Sequence, residues 1–332
     1  MLCLLQCRRM KPLDVVAIGN ALVDVLSHAQ DSFLEGHKIP KGSMSLIDAT
    51  MAEKLYATMG PAVQISGGSA ANTIAGIASL GGKAGFIGKV STDQLGDIFR
   101  HDITSLGVEF DTKSSRGGKP TGRCLVFVTP DAQRTMQTFL GSAGDVGPDD
   151  IVPEFIKRAQ VTYLEGYLWD TPLAKKAYVK AAEIAHDAHQ KTALTLSDKF
   201  CVERHRDTFL ELVHGHIDIL FANEQEIISL YQTQNFDEAV EAVRGKCEIA
   251  VLTRSEKGAV VVTPKDTVAV KAAPIKKVVD TTGAGDLFAA GFLFGLTHGK
   301  SMAECGRIAA ICAAEVISHV GARPEADLRK LV

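Results

Sequence analysis

The chain lacks several patterns that would place it in a class at once. Its 332 residues include seven cysteines, yet none forms a CxxC pair and no His/Cys spacing suits a metal. A zinc ribbon or dithiol redox centre is thereby excluded, and an odd, unpatterned set reads as reduced thiols in a cytoplasm. There is no long basic run, and 36 Lys+Arg against 39 Asp+Glu leave a net charge of −3. No nucleic acid and no membrane is therefore expected as a partner. The opening Met1-Leu-Cys-Leu-Leu-Gln-Cys-Arg-Arg-Met10 is too short for a membrane span or a signal-peptide core, and its basic residues lie on the wrong side. Residues 1–10 read as an N-terminal extension outside the fold, with Met10-Lys11-Pro12 as a natural start. No internal repeat and no low-complexity linker breaks the rest. At 46% hydrophobic and 23% charged residues, the length suits one large core, or a core plus a small lid.

Two familiar phosphate-binding patterns are also missing. Gly283-x-Gly285 lacks the third glycine of a dinucleotide fingerprint, because Phe288 stands in its place. The stretch Lys83–Lys89 fails as a P-loop, with Lys83 at the first glycine position and Val90 where Ser or Thr is needed.

What is present is Asp280-Thr-Thr-Gly-Ala-Gly-Asp286, followed by an apolar run, Leu287 to Leu296, that reads as a packed helix over 284–298. Glycines before a helix let the backbone approach a ligand closely. The first N–H groups of a helix have no partner inside it, and the helix dipole favours an anion there. Gly283, Ala284 and Gly285 thus form a candidate anion hole. Asp286 beside it suits a base for a hydroxyl about to attack phosphorus. An acid in the first turn is also ordinary helix chemistry, so the spacing alone leaves both readings open.

A second stretch, Gln64-Ile-Ser-Gly-Gly-Ser-Ala-Ala-Asn72, places Gly67 and Gly68 before a small-residue helix over 69–80, with Asn72 in its first turn. It runs on through Leu80-Gly-Gly-Lys-Ala-Gly-Phe-Ile-Gly-Lys-Val-Ser-Thr-Asp93-Gln-Leu-Gly96. Residues 67–96 and 280–292 together resemble the two signatures of the PfkB family, the ribokinase-like carbohydrate and nucleoside kinases. The resemblance implies an α/β, ribokinase-like fold, with a mostly parallel central sheet, helices on both faces and a small β-rich lid. It also implies Asp286 as catalytic base, and ATP with Mg²⁺ as cofactors. K⁺ is often used by this family near the motif helix, where Asp280 and Thr282 match the relevant positions; whether K⁺ is required here stays open.

The pattern along the chain agrees with alternating elements. Leu13 to Gly19 reads as a buried strand running into Asn20 and Asp24; spacing alone favours turn chemistry for both, whereas the resemblance places them for hydroxyl recognition at a strand end. Lys41 to Ile47 reads as a strand, and Asp48 to Met59 as a capped helix. Leu95, Ile98, Phe99, Ile103 and Leu106 recur at helical spacing, with His101 off that stripe and solvated. Residues 121–129 and 134–140 read as a hairpin. Further strands fall at 161–165, 192–197, 217–221 and 249–253, with helices at 172–189, 203–214, 224–231, 236–245 and 301–320 and edge hairpins at 259–271. The expected division is a large α/β nucleotide-binding domain from 11–24, 63–106 and 144–332, and a lid from 25–62 and 107–143.

Asn223 and Glu226 fit the family's N-x-x-E motif, which implies an indirect Mg²⁺ role for Glu226. Thr253, Ser255 and Gly258 resemble its nucleotide-binding turn, with Ser255 departing from a glycine. His319 and Arg323 read either as nucleotide contacts or as surface residues. Among branches of the family, Gly19–Asp24, Thr121–Cys124, Leu196–Cys201 and Asp218–Glu224 most resemble the adenosine-kinase branch, with Ala21 where that branch often has Pro. This implies transfer of the ATP γ-phosphate to the 5′-hydroxyl of a nucleoside, adenosine giving AMP. Asn20, Asp24, Gly67, Gly68 and Asn72 would hold the ribose. Cys124, Leu140, Leu168 and Phe200 would supply apolar surface for the base, Phe200 by stacking. The alternatives are a ribokinase- or fructokinase-like sugar kinase and, from another class, a non-catalytic nucleoside or nucleotide sensor. The expected partner is a small-molecule nucleoside or sugar, and the assembly a monomer or homodimer.

Overall fold

The computed structural model describes residues 12–131 and 133–332; the expected extension at 1–10 lies outside them. Within the described residues the strands form two sheets. The larger runs β13-β12-β11-β10-β9-β8-β1-β5 across its width. Its strands are β1 (Leu13–Ile18), β5 (Ala84–Ile87), β8 (Ala159–Glu165), β9 (Lys191–Thr195), β10 (Ile219–Asn223), β11 (Ile249–Thr253), β12 (Ala259–Val262) and β13 (Thr267–Val270). From β5 to β11 every pairing is parallel, and β12 and β13 close the edge as antiparallel hairpins. The reason is visible in β1, whose Val15, Val16, Ala17 and Ile18 have no exposed surface. A strand covered on both faces reads as a continuous apolar run.

Two helical layers provide that cover. On one face α3 (Ser69–Ser79), α4 (Gln94–Ser105), α10 (Ala284–Thr297) and α11 (Met302–Val316) share a core with β1 and β11. On the other, α5 (Pro153–Ile156), α6 (Pro172–Asp187), α7 (Lys199–His216), α8 (Glu224–Tyr231) and α9 (Phe236–Val243) pack around Ile18, Leu164 and Leu220. α3 is rich in small residues because it lies close against α10. The helix expected from 203 begins earlier, at Lys199, because the Asp198 carboxylate caps it by accepting from Cys201 N at 2.6 Å. α7 is also broken at His205, whose φ/ψ is not helical.

The smaller sheet runs β3-β7-β6-β2-β4 and forms the lid. Its strands are β2 (Leu22–His28), β3 (Met44–Leu46), β4 (Ala62–Gly67), β6 (Gly122–Val128) and β7 (Arg134–Phe139), with α1 (Asp31–Gly36) and α2 (Ala49–Thr58) beside it. The borders differ from those expected. Residues 22–24 and 63–67, assigned to the large body by the sequence, pair within the lid sheet. Asp24 is therefore on a lid strand rather than at the end of a central one. Conversely, Glu109 bridges Gly85 and Ser115 bridges Ser91, so that stretch runs beside β5 on the large sheet instead of in the lid. Among the described residues no helix is long and apolar enough to cross a membrane.

Candidate active site

A cavity of about 460 Å³ lies between the lid and the carboxyl ends of β1, β8, β9, β10 and β11. In open α/β sheets ligands bind at that end. The N-terminus of α10 forms one wall. Gly283 precedes it with φ +80°, and a Cβ there would come within 2.8 Å of the Ala322 backbone. Only glycine makes this turn without strain. No side chain caps the helix, and Gly283, Ala284 and Gly285 line the cavity, with the Ala284 N–H donating to Thr281 O at 3.3 Å.

Asp286 sits in that first turn. Its Oδ1 accepts from Ser69 Oγ at 2.6 Å and its Oδ2 from Asn72 Nδ2 at 2.9 Å. Burial raises the Asp286 pKa above the usual carboxylate value, opposed by those two hydrogen bonds and by the Arg323 charge. Asn72, expected to hold an acceptor hydroxyl, thus also holds the carboxylate. Its Oδ1 is buried without a protein partner, and so is Oδ1 of Asn20. Two orphaned amide oxygens beside one cavity suit donors on a ligand, since buried acceptors are rarely left unpaired.

Glu165, at the end of β8, is a cavity residue that pattern reading passed over. Its carboxylate accepts from Asn20 Nδ2 at 2.6 Å, Asn20 N at 3.2 Å and Ala70 N at 2.8 Å. It joins the end of β1 to the start of α3 and so orients Asn20. Burial pushes its pKa up to about 7. The one available signal was an acid closing an otherwise apolar strand. Asp24 is likewise pushed up by burial, to about 6, with Arg323 and Arg134 opposing and Asp286 adding to the shift. Arg323 belongs to this cluster rather than to the surface. It donates to Ser66 Oγ at 3.2 Å, and burial lowers its pKa to about 10. His319 instead bonds Glu315 at 3.2 Å, away from the cavity lining.

At the other end of the cavity, Asn223 and Glu226 form a capping box at the start of α8. Glu226 accepts from Asn223 N at 2.9 Å and Nδ2 at 2.6 Å, and burial raises its pKa to about 7. Thr253 lines the cavity, whereas Ser255 and Gly258 do not. They shape the turn behind it: Ser255 has φ +51°, the left-handed region, which accounts for a glycine at the matching family position. Asp280 is buried directly behind Thr281 and Thr282.

Gly68, Cys124, Leu140, Thr282, Gly283, Ala284 and Gly285 all line the cavity, and Gly67 packs against the Asp24 carboxyl. Two of the four residues expected to hold the base do not. Leu168 is 1% exposed within the core under α6 and α7. Phe200 is 68% exposed, because Cys201 and Val202 take the buried side of the first turn of α7. Beside Cys124 and Leu140, the apolar wall is made by Met44, Leu46 and Met136 from the lid and Phe221 and Phe288 from the large body.

The family model for "pfkB family carbohydrate kinase" matches residues 43–328. Two solved structures are similar over nearly their whole length. The adenosine kinase of Sinorhizobium meliloti is 52% identical, with a TM-score of 0.91, over 96% of this chain and 98% of its own. A probable sugar kinase of Rhizobium etli is 49% identical, with a TM-score of 0.92, over 97% and 98%. The adenosine kinase of Saccharomyces cerevisiae is 26% identical over 92% of this chain and 95% of its own.

Proposed function

The chain belongs to the pfkB family of carbohydrate kinases and is a phosphotransferase with an alcohol hydroxyl as acceptor; from that premise we propose that it phosphorylates the 5′-hydroxyl of a nucleoside, adenosine first, with ATP as donor. The observation that supports the site assignment is Asp286 at the start of α10, bonded to Ser69 and Asn72 across the cavity. Asp286 accepts the proton of the acceptor hydroxyl. The freed oxygen bonds to the γ-phosphorus while the bond from that phosphorus to ADP breaks. The Gly283–Gly285 backbone and the amides of α10 carry phosphate charge during transfer. Asp24, Asn20 and Asn72 orient the acceptor through its other hydroxyls.

Mg²⁺ is a hard cation that keeps several waters and is held largely by substrate phosphates. Asn223 and Glu226 at the nucleotide end fit an indirect role, since both Glu226 oxygens already accept from Asn223. When bound, the metal neutralises charge on the phosphates.

The lid surface favours a nucleoside over a sugar. Met44, Leu46, Cys124, Met136 and Leu140 present an apolar wall, which suits a flat base and offers a free sugar little. ADP formation measured side by side with adenosine, inosine, ribose and fructose tests this. Adenosine should show the highest kcat/KM. A higher value for ribose or fructose would make the enzyme a sugar kinase instead.

A further inference from the structure

The resemblance placed a monovalent cation at Asp280 and Thr282, but the residues around Asp280 do not fit one. Oδ1 of Asp280 accepts from Thr282 N at 3.1 Å and Thr282 Oγ1 at 2.8 Å. Oδ2 accepts from Gly321 N at 2.9 Å and pairs with an Arg134 guanidinium nitrogen at 2.7 Å. A carboxylate offers about four lone-pair sites; three are met here by hydrogen-bond donors, and a guanidinium nitrogen is ion-paired against Oδ2. A cation ligated by this carboxylate would have to displace a donor and stand beside a guanidinium.

Arg134 lies on β7, a lid strand, whereas Asp280 precedes the anion hole on the large body. Both side chains are nearly buried, at 9% and 6% exposed. A second Arg134 nitrogen lies 3.5 Å from Thr282 Oγ1. The arginine therefore touches both side chains expected to hold the cation. Breaking a buried pair by removing one partner leaves an uncompensated charge and costs more than an exposed pair would.

We propose that Arg134 supplies from within the protein the positive charge that a monovalent cation would bring, so that turnover does not depend on K⁺ and the Thr281–Gly285 loop is held in shape only while the lid strand is docked. Arg134 is then a positioning residue, acting on the anion hole through Asp280. The inference rests on the anion-hole reading above but not on which alcohol is the acceptor.

The test compares the full-length enzyme and an Arg134→Ala variant in KCl, NaCl and tetramethylammonium chloride at equal ionic strength. Two quantities are followed: the thermal midpoint without any acceptor, and ADP formation with the best acceptor of the panel. For the unaltered enzyme both should be the same in all three salts. Arg134→Ala should lose on the order of a hundredfold in turnover in tetramethylammonium, and K⁺ should restore about tenfold of it and raise the midpoint. Arg134→Lys, which keeps a charge, should stay active in all three salts. A tenfold or larger activation of the unaltered enzyme by K⁺ would overturn the proposal. So would an Arg134→Ala variant that folds but is equally slow in every salt. Should that variant not fold, the salt response of the unaltered enzyme still decides. The midpoint needs no acceptor, so a wrong acceptor assignment and a wrong assignment of Arg134 give different results.

Discussion

Asn72 Nδ2 donates to Asp286 Oδ2 at 2.9 Å across 214 residues of sequence, and with Ser69 Oγ on Oδ1 it joins the two motif helices α3 and α10. The helices pack closely enough that a Cβ on Gly76 would come within 2.6 Å of Leu287. Their N-termini therefore open into the same cavity, with the carboxylate of one held by the amide of the other.

Asp286→Asn is expected to keep the fold and bind acceptor nearly as before, because the amide retains one acceptor oxygen for Ser69 or Asn72. Turnover should fall by about three orders of magnitude, the scale of a lost general base. Initial rates together with acceptor titration by calorimetry separate the two effects. Unchanged turnover would show that another group takes the proton.

Asp24 should weaken acceptor binding first. Its pKa is raised to about 6, so its ionised form, the one that accepts two hydroxyl hydrogen bonds, predominates only above that pH. Acceptor affinity should strengthen as pH rises through that region. Asp24→Asn should bind more weakly and lose this step. An Asp24→Asn variant with the same pH-dependent affinity would remove Asp24 from acceptor binding.

Arg323→Met removes the positive charge that opposes protonation of both Asp24 and Asp286. Both carboxyls should then hold their protons to higher pH. The acid limb of the kcat/KM profile is expected to move upward in pH, with the alkaline side unaffected. A drop in rate with no movement of that limb would mean that Arg323 acts only by packing.

Glu165 makes a stability prediction. Its folded pKa of about 7 lies above the unfolded value of 4.5, so the folded state binds the extra proton between them. The resulting stabilisation is fully present below pH 4.5 and is lost as pH rises through about 7. Over this window of about 2.5 pH units it amounts to at most about 3 kcal/mol. Glu165→Gln should be less stable near pH 5, because its amide N–H₂ would face the Ala70 N–H. Its urea midpoint should also change less between pH 5 and pH 8 than that of the unaltered enzyme. Parallel pH curves for the two proteins would contradict the assignment.

The wall residues show where sequence reasoning stopped. Phe200 and Leu168 have the right chemistry for a base pocket, but the helical turn at 198–202 directs one outward and the short turn at 166–170 directs the other inward. Met44, Leu46 and Met136 replace them from strands whose register depends on pairing with other strands of the lid sheet. A one-residue shift in a strand exchanges its faces, and nothing local in those short segments sets that.

Local chemistry was enough for the rest of the plan. Asp286 at a glycine-led helix start, Gly68 and Asn72 at another, and the alternation of apolar strands with helices follow from backbone constraints within a few residues of each position. Tertiary structure alone decided what those groups meet: Glu165 beneath Asn20, Arg323 beside two carboxyls, and a lid arginine on Asp280. Glu165 and Asn20 are 145 residues apart, and Arg134 and Asp280 are 146 apart (280 − 134). Burying an ionised group is costly without a partner, so these side chains take their character from neighbours that only the folded chain brings within reach.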